Sequence, residues 1–288
     1  MITIIGASGY IGHSLFDRFK DDHFKINGTY SQHPLPGLFH LDLTENDLLA
    51  SLQLLVSGSE NRYMVIAAAA HARPDASKIH WDESYNINVV KIREILDYCF
   101  MKKIIPIYLS TDNVFDGFKG DYGEADSKNP LNSYGAIKHE VEEYIFRSRK
   151  PNVILRLGKV FGINFHDGTF FTSMLKEMKE KEEIHCATDQ VFTPCYIEDL
   201  YLAIKNIIEE KYLGVFHLAS LKRLNRYEVA LAIKNKFNMV NIPIIPCTID
   251  SLGLLEPRPK LIDLNINKWK QLTGFKEKSL DFYLSLIH

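Results

Sequence analysis

Short apolar runs alternate with longer stretches whose apolar residues recur at helical spacing. Ile2–Ile5 reads as a buried strand, and Ile11, Leu15, Phe16 and Phe19 then share one face of a helix near Ile11–Lys20. The alternation continues with a strand over Lys25–Tyr30, a helix near Glu45–Val56, a strand over Tyr63–Ile66, one long amphipathic stretch over Trp81–Phe100, a strand over Ile104–Leu109, a helix near Asn132–Arg149 and a strand over Val153–Leu157. Strands that are apolar throughout and alternate with helices predict a parallel sheet covered on both faces. The expected class is therefore α/β, a Rossmann-type doubly wound sheet with a smaller C-terminal region.

The second half is less regular. Helices are expected over Phe170–Lys181, Asp199–Glu210 and Arg226–Phe237, and a last one from Leu280. Val215–Leu218 reads as a strand and Cys186–Pro194 as an extended loop, and Pro243, Pro246, Pro257 and Pro259 interrupt the stretch between the last two helices. The expected division is a nucleotide-binding domain over 1–160, joined by part of 188–218, and a smaller substrate-binding region over 161–288.

Composition narrows the class. With 288 residues, 46% hydrophobic, 24% charged and a net charge of −2, the chain reads as globular, without the field that nucleic acid or an anionic membrane would need. The four cysteines lack paired spacing, which predicts reduced thiols rather than disulfides or a metal site. No apolar run is long enough to span a bilayer, and the first residues form a strand without a basic leader, so the expected location is cytoplasmic. The histidines, His71 and His139 among them, show no ligand pattern, and no metal is expected.

Chemistry enters at the first turn. Gly6, Gly9 and Gly12 follow the first strand and open the first helix, where free backbone N–H groups and the helix dipole favour a phosphate. A structural turn would also use glycines there. Further on, Tyr134 and Lys138 lie one helical turn apart. A phenol is a poor acid at neutral pH, and a neighbouring ammonium lowers its pKa. An ordinary half-buried tyrosine beside a solvated lysine has the same spacing. Thr111, just beyond the strand Ile104–Leu109, sits at a carboxyl end, where open α/β sheets bind ligands; it is equally suited to cap a turn.

In sequence order, GASGYIG (6–12), LDLT (41–44), AAAAHARPD (67–75), NINVV (86–90), LSTDNVFDG (109–117), NPLNSYGAIKHEVE (129–142), LRLGKVFG (155–162), TDQVFTPCYIEDL (188–200), GVFHLAS (214–220) and RPKLIDLN (258–265) resemble an extended short-chain dehydrogenase/reductase. Within that superfamily the chain is similar to the dTDP-4-dehydrorhamnose reductase family, over nearly its whole length. The resemblance implies a catalytic set of Thr111, Tyr134 and Lys138. It implies a dinucleotide held by Gly6, Ser8, Gly9, Tyr10, Ile11, Gly12, Ser31, Asp42, Leu43, Ala67, Ala68 and Ala69, with Tyr134 and Lys138 at its nicotinamide end. Asn88 falls where relatives carry a helix asparagine. Asp42 has a second reading as a helix cap, and Asn88 as a polar residue on a solvated face.

Substrate contacts are expected from His71, Asn113, Lys159 and Arg258. Relatives place a tyrosine at the position of Asn113 and a tryptophan at that of Lys159, so these two point to a different sugar. The end of the second strand, Tyr30-Ser31-Gln32-His33, carries no acid to bind a free ribose hydroxyl or repel a phosphate, which favours NADPH over NADH. The implied reaction is reduction of a keto group on a nucleotide-linked deoxysugar, and a homodimer is left open. Two alternatives stand beside it. One is a nucleotide-sugar epimerase; a dehydratase is disfavoured because Asn113 cannot serve as a base. The other is a non-catalytic NADP-binding subunit similar to the β subunit of methionine adenosyltransferase, which the HARPD segment resembles.

Overall fold

The computed structural model describes residues 1–45, 47–56 and 62–287. Strands β1 (Ile2–Ile5) and β4 (Tyr63–Ile66) are buried at every position, as central strands of a two-sided sheet must be. With β2 (Ile26–Tyr30), β3 (Phe39–His40), β5 (Ile105–Thr111), β6 (Val153–Leu157) and the strand Gly214–Leu218 they form a seven-stranded parallel sheet. Its order is Gly214–Leu218, β6, β5, β4, β1, β2, β3. Register aligns Ile2 with both Ile26 and Tyr63, and Tyr63 with Ile105. The sheet order turns back on itself beside β1, so the carboxyl ends of β1 and β4 lie where such sheets take ligands.

By its internal contacts the chain divides into two units. The first holds Met1–Ser110, Ser133–Leu155 and Tyr201–Val215; the second holds Thr111–Asn132, Arg156–Leu200 and Phe216–His288. Along the sequence, the chain leaves the first unit at Thr111, returns at Ser133 and returns again at Tyr201. Lys205, in that last return, pairs with Asp22 at the end of α1 (Tyr10–Asp21), at 2.6 Å.

The core of the first unit joins Ile66 and Tyr108 of the sheet to Leu48 and Leu52 of α2 (Leu48–Val56), to Ile95 and Leu96, and to Ile137 and Val141. Of the helix expected near Glu45–Val56, Leu48–Val56 forms; Asn46 lies outside the described residues. The stretch Trp81–Phe100 is not one continuous α-helix. A short α3 (Pro74–Ile79) precedes α4 (Trp81–Tyr85), a π-helical turn over Asn86–Lys91 and α5 (Ile92–Lys102). Then come β5 and α6 (Ser133–Ser148).

The second unit packs helices Phe170–Glu180, Arg226–Lys236 and Leu280–Leu286 around Phe161, Phe171, Met174 and Tyr283. Cys186–Pro194 is not a loop throughout: Ile184–Ala187 and Val191–Phe192 are strands. Ile184–Ala187 pairs in parallel with Ile244–Cys247, which includes Pro246. This sheet has only two strands, so a proline lacking an N–H is tolerated at its edge. Helix Asn267–Thr273 was not expected from the sequence. Among the described residues no helix is long and apolar enough to cross a membrane.

Candidate active site

The turn after β1 is fixed by close packing at two of its three glycines. Gly6 has φ +85°, and a Cβ there would sit 2.7 Å from the Ala68 Cα. A Cβ on Gly12 would lie 2.1 Å from the Gly6 carbonyl oxygen. The Gly6 N–H donates to Thr29 Oγ1 of β2 at 3.0 Å, tying the turn to the sheet. Gly9 is different. Its backbone is extended (φ −79°), and an added Cβ would meet nothing nearer than the Gly6 oxygen at 3.5 Å.

Gly9 is also the N-cap of α1, with no side-chain cap bond and no acid in the first turn. Helix Arg226–Lys236, by contrast, starts with a full capping box of Asn225 and Glu228. An uncapped positive helix end beside free space suits a dianionic phosphate, so the residues present fit a dinucleotide. Ser8 and Ile11 are half-buried and Tyr10 is exposed around this turn.

Ala67 and Ala68, half-buried, and Ala69, exposed, leave β4 beside the glycine turn; the Ala67 N–H donates to the Ile5 carbonyl at 3.0 Å. The next residue is clamped. Asn88 accepts from the Ala70 N–H at 2.9 Å and donates to the Ala70 carbonyl at 2.8 Å. Asn88 is only 4% exposed, so it is not a polar residue on a solvated face. It lies on the π-helical turn, a distortion frequent at functional sites. Asp42 accepts from both the N–H and the hydroxyl of Thr44 at 2.8 Å. These bonds hold its carboxyl below the usual range. Leu43 packs into the core of the first unit, and Ser31 is exposed just beyond β2.

Helix α6 carries the tyrosine–lysine pair. Tyr134 is half-buried, whereas Lys138 is 5% exposed, contrary to the ordinary case of a solvated lysine. Lys138 Nζ donates to the Leu109 carbonyl at 2.9 Å and lies 4.8 Å over the Tyr108 ring. Burial lowers its pKa to about 8, with the Glu142 carboxylate acting in the opposite sense. Glu142, one further turn along, is wholly buried and accepts from Ser110 Oγ at 2.5 Å. Tyr108 is buried with a hydroxyl that has no hydrogen-bond partner among the described residues, and burial raises its pKa. Glu142, Ser110 and Tyr108 were missed from sequence. The continuing four-residue spacing from Tyr134 through Lys138 to Glu142 was the available signal.

At the end of β5, Thr111 is buried and caps a short 3₁₀ turn over Asp112–Val114. Its hydroxyl donates to Asp112 Oδ1 at 3.0 Å and accepts from the Asn113 N–H at 3.2 Å. The Asn113 amide donates to Asp112 at 2.8 Å and accepts from Asn132 at 3.1 Å, so it is engaged within this turn. Burial pushes the Asp112 carboxyl up to about 6, although Thr111 and Asn113 donate to it and Lys159 lies near. Lys159 Nζ stands 4.7 Å over the Phe170 ring and 5.1 Å over Phe192. Arg258 donates to the Glu256 carbonyl at 2.8 Å.

His71 is in the left-handed region at φ +51°. Its Nε2 is 3.1 Å from Glu83 Oε2, and its ring stacks on His80 at 4.3 Å. The sequence shows no histidine ligand pattern, yet the fold brings His71, His80 and Glu83 together.

The chain is 27% identical to a dTDP-4-dehydrorhamnose reductase of Aggregatibacter actinomycetemcomitans, over 96% of its length and 94% of that protein. It is 28% identical to the methionine adenosyltransferase 2 subunit beta of Danio rerio, over 98% of its length and 87% of that protein. The fold matches a Bacillus anthracis dTDP-4-dehydrorhamnose reductase solved in complex with NADP, with TM-score 0.85, 25% identity and coverage of 99% and 97% of the two chains. The family model described as RmlD substrate binding domain matches residues 1–284, and the chain belongs to that family.

Proposed function

We propose that this protein is an NADPH-dependent reductase of a keto group on a nucleotide-linked deoxysugar. The observation that carries the reading is the asymmetry on α6: a half-open phenol at Tyr134 with a buried ammonium at Lys138 one turn on. The dTDP-4-dehydrorhamnose reductases among its relatives support the same class.

The nicotinamide dinucleotide supplies the hydride when bound. Gly9 and the first turn of α1 would hold its pyrophosphate, and Ala67–Ala69 would hold its adenosine and ribose. Tyr134 gives its proton to the oxygen of the carbonyl as charge develops there. Lys138 would orient the nicotinamide ribose and supply the cation of the pair. Thr111 would steady the reacting oxygen by turning its one hydroxyl proton from Asp112 to that oxygen. Lys159 and Arg258 bring positive charge to the sugar nucleotide. His71, whose ring now pairs with Glu83, would face the sugar nucleotide with them. The preference for NADPH rests on Ser31, Gln32 and His33, which offer donors and no carboxylate where the ribose phosphate would lie.

Tyr134→Phe is expected to lower turnover by about 10²–10⁴ while NADPH still binds. Full activity in that variant overturns the proposal. The second reading, a non-catalytic regulatory subunit, is favoured by the Danio rerio relative. It requires a stoichiometric partner protein and no turnover on any ketosugar nucleotide.

A further inference from the structure

We propose that His71, His80 and Glu83 form a binding site for a zinc-like divalent cation. Two imidazoles and a carboxylate are a donor set that suits zinc, with a fourth position left to water. The three ligand atoms lie within 4.8 Å of one another. Tetrahedral zinc at ordinary bond lengths needs its ligand atoms about 3.4 Å apart. The pair His71 Nε2 and Glu83 Oε2, at 3.1 Å, already meets that spacing. His80 has to close the remaining gap by tilting its ring out of the stack, in which the two planes now differ by 14°.

The backbone holds these side chains in place. The His71 carbonyl accepts from Ser77 Oγ at 2.6 Å and from the Arg73 N–H at 2.7 Å. His80 joins the end of α3 to the start of α4: its N–H donates to Ala76 and its carbonyl accepts from Ser84. Glu83 follows on α4. Only side-chain rotations remain for a cation to fix, and both His80 and Glu83 are exposed to it. The cation would take the place of the direct contact between His71 Nε2 and Glu83 Oε2. The ion would fasten His71, just beyond the Asn88-clamped Ala70, to the start of α4. This inference does not depend on the reductase reading.

The test is equilibrium dialysis of chelator-stripped protein against Zn²⁺ with metal analysis. One zinc per chain is expected. His71→Ala and His80→Ala should each weaken binding by about tenfold or more, judged against the 10–100-fold typical even of outer-shell changes. His185→Ala is the control. It removes a histidine that also pairs with a glutamate, Glu183, at 3.1 Å. That variant should bind zinc as the native chain does. Co²⁺ in place of zinc should give the visible absorption of a four-coordinate nitrogen and oxygen site. No retained zinc, equal binding by His80→Ala, or a thiolate-to-cobalt band placing the metal on a cysteine overturns the proposal.

Discussion

The ends of β1 and β5 prepare for ligands in opposite ways. At β1 the chain provides space and backbone: Gly9 has room for a Cβ, α1 begins uncapped, and no acid stands in its first turn. At β5 it buries ionisable groups. Lys138 and Glu142 lie against one side of that strand's end, and Asp112 comes directly after it. The first arrangement is inexpensive to fold and acquires its charge from the molecule that binds. The second opposes folding, since buried charges are unfavourable unless well paired, and groups perturbed in this way cluster at functional sites.

If that contrast is right, substitutions at the two places fail differently. Lys138→Met should give the largest effect, a loss of about 10²–10⁴ in kcat/KM, with a loss of stability of about 1–3 kcal/mol because the Leu109 carbonyl loses its donor. A collapse in melting temperature instead would make Lys138 a structural residue.

Asp112→Asn tests the cost of burial. Between its ordinary pKa of 3.8 and the folded value of about 6, the native chain keeps a proton that the unfolded chain releases. The contribution of this group to stability is therefore full at low pH and falls as pH rises through that window, by up to about 3 kcal/mol. Denaturant titrations should show this slope in the native protein and its absence in the variant.

The glycines separate packing from binding. Gly12→Ala should destabilise the fold by about 1–3 kcal/mol or more, because its Cβ meets a backbone oxygen. Gly9→Ala should leave the melting temperature unchanged yet weaken NADPH binding about tenfold, as a methyl group enters the phosphate space. Fluorescence titration of NADPH reads the second effect. Asn88→Ala is expected to destabilise no more than Gly12→Ala. It strips both partners from Ala70 and should cost about 1–3 kcal/mol, less where water replaces them.

The sheet was legible because β1 and β4 are apolar at every position but Thr3 and each is followed by helical periodicity. The glycine turn and the Tyr134–Lys138 spacing are local signals of the same kind. The π-helical turn over Asn86–Lys91 was not legible, since apolar spacing does not distinguish a shifted hydrogen-bond register from a regular helix. Nor was the pairing of Ile184–Ala187 with Ile244–Cys247, which joins segments far apart in sequence, one of them holding a proline. The Ser110–Glu142 bond and the His71–His80–Glu83 group escaped for a related reason. Each depends on how helices are placed by the fold, not on a pattern within one segment.

The central claim is that α6 presents an acid for carbonyl reduction. Its most direct test is NADPH oxidation by the purified protein over a panel of ketosugar nucleotides, with product identified for any that react. The account predicts stoichiometric NADPH consumption with at least one of them, yielding the corresponding alcohol. Tight NADPH binding with no consumption across the whole panel would contradict it.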